Sequence, residues 1–194
     1  MAEDGIKYDV IAIGGSAGSL EVIMKIVAAL PYPNKVSCII VLHRKNDSSS
    51  LFEELLKSRT RLPVKEVEDK DPVLPGHVYI APADYHMLIE KDKSFSLDVS
   101  EKIHFSRPSI DVTFESIAEI YGKNCIGILL SGANADGAEG MLALHQQGSY
   151  TIVQDPESAE VPYMPQQAIN LHAYTKICNG KELPAILQQL LYAQ

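Results

Sequence analysis

The sequence predicts an α/β protein: a doubly wound, mostly parallel sheet in three αβα layers, with a β-hairpin section at one edge. Three observations carry this. The chain opens with two strand–helix units in succession, its strand-like runs are continuously apolar rather than alternating, and the strand–helix rhythm resumes after an interruption of short runs broken by turn residues.

Residues 8–14, "YDVIAIG", form the first buried strand, short, β-rich and closed by glycine. Leu20, Ile23, Met24, Val27 and Leu30 follow at helical spacing, which predicts a helix over 19–30. "KVSCIIVLH" (35–43) is a second strand, and "SSSLFEELLKS" (48–58) a second helix entered through serines suited to capping. From 64 to 99 the runs "VKEVE", "HVYIA", "HMLIE" and "FSLDV", separated by "LPG", "PAD" and "KDKS", predict hairpins. Helix returns at 109–122, strand at 124–132, helix at 136–148 and strand in "SYTIVQ". A short helix in "MPQQAIN" and a final one in "ELPAILQQLLYA" complete the reading, with no repeat or linker across 1–194, so one domain is expected.

Composition narrows the function classes. The chain has 194 residues, 46% hydrophobic and 22% charged, enough for one sizeable core. A net charge of −8 argues against nucleic acid as a partner. Cys38 and Cys125 lie inside apolar runs and read as buried, inert thiols; no cysteine pair has metal-ligand spacing, and the odd count suits a reducing compartment. With no signal-peptide pattern at the N-terminus and no apolar run near 20 residues, a cytoplasmic protein without membrane insertion is expected.

The first strand runs into Gly14-Gly15-Ser16-Ala17-Gly18, a G-x-S-x-G turn in strand–turn–helix context. Small neighbours let a serine project from a sharp, strained turn, and the helix N-terminus behind it offers N–H groups to an oxyanion. A plain tight corner would use the same residues. The dinucleotide spacing G-x-G-x-x-G fails here, and the lysine of a phosphate loop is missing, so nucleotide binding loses ground to acyl chemistry. The elbow follows the first strand, which excludes the α/β-hydrolase order.

Functional groups of an open parallel sheet gather beyond the strand carboxyl ends. Of six histidines, His43 alone directly follows a predicted parallel strand, at the edge shared with Ser16. Asp136 follows the strand "CIGILLS" just before a helix; alone it would read as an N-cap, and beside Ser16 and His43 it becomes the carboxylate that orients an imidazole. Asp84 and Asp111 are weaker candidates, since neither follows such a strand.

With these residues in place, the chain from residue 9 to about 171 resembles the catalytic domain of the chemotaxis protein-glutamate methylesterase (CheB-type) family. "IGGSAGSLE", "VLH", "EDKDPVLPGHVYIAPADYHM", "SRPSIDV", "GILLSGANADGAEGMLAL" and "VQDPESAEVPYMPQQAI" carry the resemblance in order. It implies a serine-type ester hydrolase without cofactor or metal, removing methyl esters from glutamates of chemoreceptor cytoplasmic helices or of another methylated protein, with deamidation of glutamines as a related activity. It puts nucleophile, base and acid on Ser16, His43 and Asp136, the oxyanion near the backbone of Ala17 and Ala133, and "SRPSID" in a loop close to the site.

The chain departs from the family's pattern in places. It begins at the catalytic domain without the usual receiver domain, so a stand-alone esterase or a fragment is expected. Leu42, Arg44 and Lys45 around the base, Ser19, and Ala133 differ from the residues usual there. Arg44, Lys45 and Arg107 are expected to form a small positive rim attracting an acidic receptor helix. Two other readings stay open: a non-catalytic interaction module that keeps the fold, and an anion or ligand binder at the Ser16 turn.

Overall fold

Three apolar runs, centred on Ile11, Ile39 and Ile128, lie side by side with every residue buried, which is possible only when both faces of the sheet are covered. The computed structural model describes residues 8–44 and 49–192. In chain order its elements are β1 (Val10–Gly15), α1 (Leu20–Ala29), β2 (Ser37–Leu42), α2 (Ser49–Lys57), β3 (Val64–Glu66), β4 (Val78–Ile80), β5 (His86–Ile89), β6 (Phe95–Asp98), α3 (Ile110–Tyr121), β7 (Cys125–Leu129), α4 (Ala138–Gln146), β8 (Tyr150–Gln154), α5 (Tyr163–Asn170), β9 (Lys176–Cys178) and α6 (Leu183–Tyr192).

Seven strands form one parallel sheet in the order β3-β4-β2-β1-β7-β8-β9. The chain winds outward from β1 through β2, then restarts at β7 on the other side, so β1 and β7 flank the point where the winding reverses. Alternate residues feed two cores. Ile11, Ile13, Cys38, Ile40 and Ile128 pack with Ile23, Ile26, Phe52, Leu56 and Leu187 of α1, α2 and α6. Val10, Ala12, Ile39, Val41 and Leu129 pack with Ile110, Phe114, Met141 and Met164 of α3, α4 and α5. The three layers follow.

The section at 64–99 differs from the sequence expectation. Only β5 and β6 form a hairpin, and it is a separate two-stranded sheet. "VKEVE" and "HVYIA" supply β3 and β4, which extend the main sheet in parallel beyond β2. Each is only three residues long and framed by turn residues, so hairpin and edge strand look alike in sequence. The serine entry proposed for α2 falls on Ser48, outside the described residues, and on Ser49 and Ser50, whose side chains are likewise not described. Among the described residues no helix is long and apolar enough to cross a membrane.

The helices α3 and α4 approach closely at Gly140, where an added Cβ would lie 2.6 Å from Phe114 Cβ and 3.0 Å from the Asp111 Cα. Glycine to alanine in a helix normally gains about 1 kcal/mol. Here overpacking against backbone reverses the sign, and Gly140→Ala should destabilise the chain by roughly 1–3 kcal/mol. Urea unfolding measures this; a more stable variant would contradict the packing.

Candidate active site

The register of three central strands brings the candidate residues to one edge. Gly15 pairs with Leu42, so the next residues, Ser16 and His43, leave the sheet abreast, with His43 N donating to Gly15 O at 3.2 Å. On the other flank Ser16 N donates to Ser131 O at 2.9 Å, just past β7. The turn itself is held by Ser19, whose hydroxyl and amide both donate to Ser16 O at 2.7 and 3.1 Å.

Each glycine of this turn has a packing reason. A Cβ at Gly14 would strike Ile110 Cγ2 at 2.5 Å, and one at Gly15 would strike Ser19 Oγ at 2.5 Å. Left-handed backbone is found at Gly18 (φ 78°), where a Cβ would also meet Glu160; Ser16 is not among the residues with positive φ. The strain expected at the serine is thus carried two residues later, by the residue type that tolerates it.

Asp136 is fully buried, and its carboxylate is saturated with donors. Oδ2 accepts from Ile110 N at 2.7 Å and faces His43 Nε2 at 2.7 Å; Oδ1 accepts from Ser109 Oγ at 2.8 Å and Asp111 N at 3.0 Å. Two of these donors are first-turn amides of α3, where the helix dipole favours an anion. Burial works to raise the Asp136 pKa, but the His43 bond and the Asp111 and Ile110 amides outweigh it, so the pKa is lowered. The N-cap alternative does not hold: α4 begins after Gly137, and Asp136 serves α3 instead.

The exchange is reciprocal. Asp111 Oδ1 accepts from Gly137 N and Gly140 N at the start of α4, 2.8 and 2.7 Å. Its own pKa is raised to about 6, chiefly by burial and further by the charge of Asp136, against the Gly140 and Gly137 donors. His104 Nε2 stands 3.6 Å from Asp111 Oδ2. Asp111 is therefore a structural carboxylate of α4 rather than the partner of His43.

An ionised carboxylate only accepts, so His43 Nε2 carries the proton and Nδ1 is the basic nitrogen of the neutral ring. Nδ1 faces Ser106 Oγ at 3.3 Å; among the described residues no hydrogen bond joins it to Ser16. Ser106, the first residue of "SRPSID", is a site residue that sequence reasoning placed only as part of a nearby loop. Asn134 Nδ2 donates to Ser106 Oγ at 3.1 Å, tying that loop to the segment between β7 and α4. Ala17 and Ala133 are both exposed at this edge, and among the described residues neither amide donates a hydrogen bond.

The expected positive rim is redrawn. Arg44, Arg107, His43, Asp84, Lys102, Phe105 and Ser106 line a cleft of about 320 Å³. The Arg44 side chain is only 6% exposed, pairs with Glu66, donates to Ala81 O and lies over the Phe52 ring, so it anchors β2 to the edge strands rather than presenting charge. Arg107 Nη1 donates to the Val99 and Ser100 carbonyls, both at 2.9 Å, and so pins its own loop. Lys45 lies outside the described residues. Lys102, exposed on the cleft, is a cation the sequence did not single out.

Comparisons with known proteins bear on the family and the fold. A family model described as CheB methylesterase matches residues 11–187. A homologue from Leptospira interrogans is 42% identical over 164 residues, covering 84% of this chain and 85% of that protein. The protein-glutamate methylesterase/protein-glutamine glutaminase of Chromohalobacter salexigens is 40% identical over 183 residues, 93% of this chain but 51% of that protein, so the chain spans about half of it. The crystal structure of the Thermotoga maritima CheB methylesterase catalytic domain superposes with a TM-score of 0.89 at 30% identity, covering 97% of this chain and all of that one. The chain belongs to the CheB methylesterase family.

Proposed function

We propose that this chain is a serine hydrolase that removes methyl esters from glutamates of chemoreceptor proteins in the cytoplasm and deamidates glutamines by the same route, working as one catalytic domain without cofactor or metal. The observation that carries this reading is the His43–Asp136 pair, 2.7 Å long with its carboxylate buried, standing abreast of Ser16 at the reversal point of the sheet. Ser16 Oγ attacks the ester carbonyl while His43 Nδ1 takes its proton. The Ala17 and Ala133 amides hold the oxyanion. Collapse of the tetrahedral intermediate expels methoxide, which leaves as methanol with the proton from His43. Water then repeats the sequence on the acyl-serine and frees the glutamate carboxylate. For a glutamine side chain the leaving group is ammonia. Asp136 stays ionised throughout, holding the ring in the tautomer that leaves Nδ1 basic.

A second assignment has one observation in its favour: Ser106, not Ser16, is hydrogen-bonded to the base. Ser16, unlike Ser106, directly follows a central strand of the parallel sheet, at the edge where such a sheet gathers its functional groups. A fluorophosphonate probe should label Ser16, with Ser106→Ala still labelled and His43→Ala not; an adduct on Ser106 would reverse the roles.

Ser16→Ala and His43→Ala should each lower turnover by about 10⁶-fold, and Asp136→Asn by about 10⁴-fold, in a methanol-release assay on methylated receptor fragments. Turnover within tenfold of the parent would refute the assignment. A Cβ at Gly132 would sit 3.0 Å from Ser16 Cβ and 2.5 Å from Met164 Cε. Gly132→Ala should therefore misplace the serine and cost roughly 10- to 100-fold in kcat, beside a stability loss of about 1–3 kcal/mol as the buried Met164 gives way.

The paired carboxylates give separate pH signatures. The folded chain keeps the Asp111 proton up to about pH 6, whereas the ordinary pKa is 3.8. Folding thus binds a proton between those values, and the contribution of Asp111 to stability falls as pH rises through that window. The lowered pKa of Asp136 acts oppositely: its contribution is complete above the ordinary carboxylate pKa and is lost as pH falls below it. Asp111→Asn, which keeps a carbonyl oxygen for Gly137 and Gly140, should abolish the decline between about pH 4 and 6, read by denaturation at stepped pH.

A further inference from the structure

The short hairpin beside His43 carries a feature that ester cleavage does not use. Ile103 and Ser106 exchange both backbone hydrogen bonds, at 3.1 and 2.8 Å, leaving His104 and Phe105 as a two-residue turn. Their φ values are 47° and 63°, the pattern of a type I′ turn, which favours Asn-Gly and is unfavourable for a bulky aromatic residue. Phe105 is 97% exposed, so its ring adds nothing to the core. The turn is nonetheless braced: Asn134 Nδ2 donates to His104 O at 3.1 Å, and Arg107 holds the incoming strand through the Val99 and Ser100 carbonyls. Backbone in this sparsely populated region, holding a large apolar ring in water beside His43, has no packing reason and calls for a functional one.

Charge says what kind of partner. Phe105 shares the cleft wall with His43, Lys102 and Arg107. Among the described residues neither Lys102 nor Arg107 is paired with a carboxylate. The cleft also carries one carboxylate, the exposed Asp84; on a chain of net charge −8, the two cations still outnumber it beside an aromatic anchor at the catalytic edge.

We propose that the His104–Phe105 turn is a docking finger for the polypeptide that carries the ester. Phe105 packs on an apolar residue flanking the target glutamate, while Lys102 and Arg107 attract acidic side chains beside it. The occupant is an acidic segment of that polypeptide with an apolar residue beside the target glutamate. The inference rests on the hydrolytic reading above and adds to it the feature that selects protein over small esters.

The test uses two helical peptides of about 20 residues, each bearing one glutamyl methyl ester on an acidic background. One has leucine and the other alanine a helical turn from the ester; the γ-methyl ester of N-acetylglutamate is the small reference. Phe105→Gly combined with His104→Asn suits the turn, so this variant should melt at a higher temperature than the parent. Its efficiency on the leucine peptide, relative to the small ester, should still fall about 5- to 30-fold, through KM rather than kcat. Phe105→Leu should recover most of this, and the loss should vanish on the alanine peptide. A ratio within twofold of the parent, or an equal loss on both peptides, overturns the proposal. Failure of the hydrolytic reading is a different result: the parent releases methanol from none of the three. Fluorescence anisotropy of the labelled leucine peptide on a Ser16→Ala background then decides docking by itself. At least fivefold weaker binding on loss of Phe105 supports the finger, and unchanged affinity overturns it.

Discussion

Two helices, α3 and α4, each begin by donating backbone N–H groups to a carboxylate from the other's entry segment: Asp136 on the amides of Ile110 and Asp111, Asp111 on the amides of Gly137 and Gly140. A buried charge is tolerated only when its lone pairs are filled, and here the filling is done by groups that a helix start leaves unpaired in any case. The crossing depends on Gly137 and Gly140 lacking side chains, since Cβ atoms there would meet Ile110, Phe114 and the Asp111 backbone. The position of Asp136, and through it the tautomer of His43, is thereby set by helix packing rather than by a mobile loop.

The two carboxylates, so close and so alike in partners, are shifted in opposite directions. Asp136 has a side-chain donor from His43 and another from Ser109, and its ionised form prevails over burial. Asp111 has two amides, a more distant His104 and the neighbouring negative charge, and burial prevails. One group holds the His43 ring, the partner it would stabilise as an imidazolium in the proposed reaction; the other serves the fold. This division of labour follows from the side-chain hydrogen bonds to His43 and Ser109, which Asp111 lacks.

Much of the molecule was legible in the sequence because its central strands are continuous apolar runs ending at glycine, serine, histidine or aspartate. Strand ends on one side of a parallel sheet converge, so Ser16, His43 and Asp136 could be grouped before any coordinates. Short elements escaped: β9, only "KIC", has too few residues to show a pattern, and β3 and β4 imitate a hairpin. Contacts between distant segments escaped too. Nothing near Ser106 in sequence announces a bond to a ring 63 positions away. Arg44 reads as a surface charge beside the base, yet Glu66 and Phe52 draw it inward.

The three cysteines remain. Cys38, Cys125 and Cys178 are all free and buried, and burial raises each thiol, Cys38 to about 12 and Cys178 to about 11. A thiol that never becomes thiolate near neutrality is a poor target for peroxide or alkylating reagents. All three sulfurs serve instead as packing in the two cores, so a thiol reagent should reach them only once the cores open.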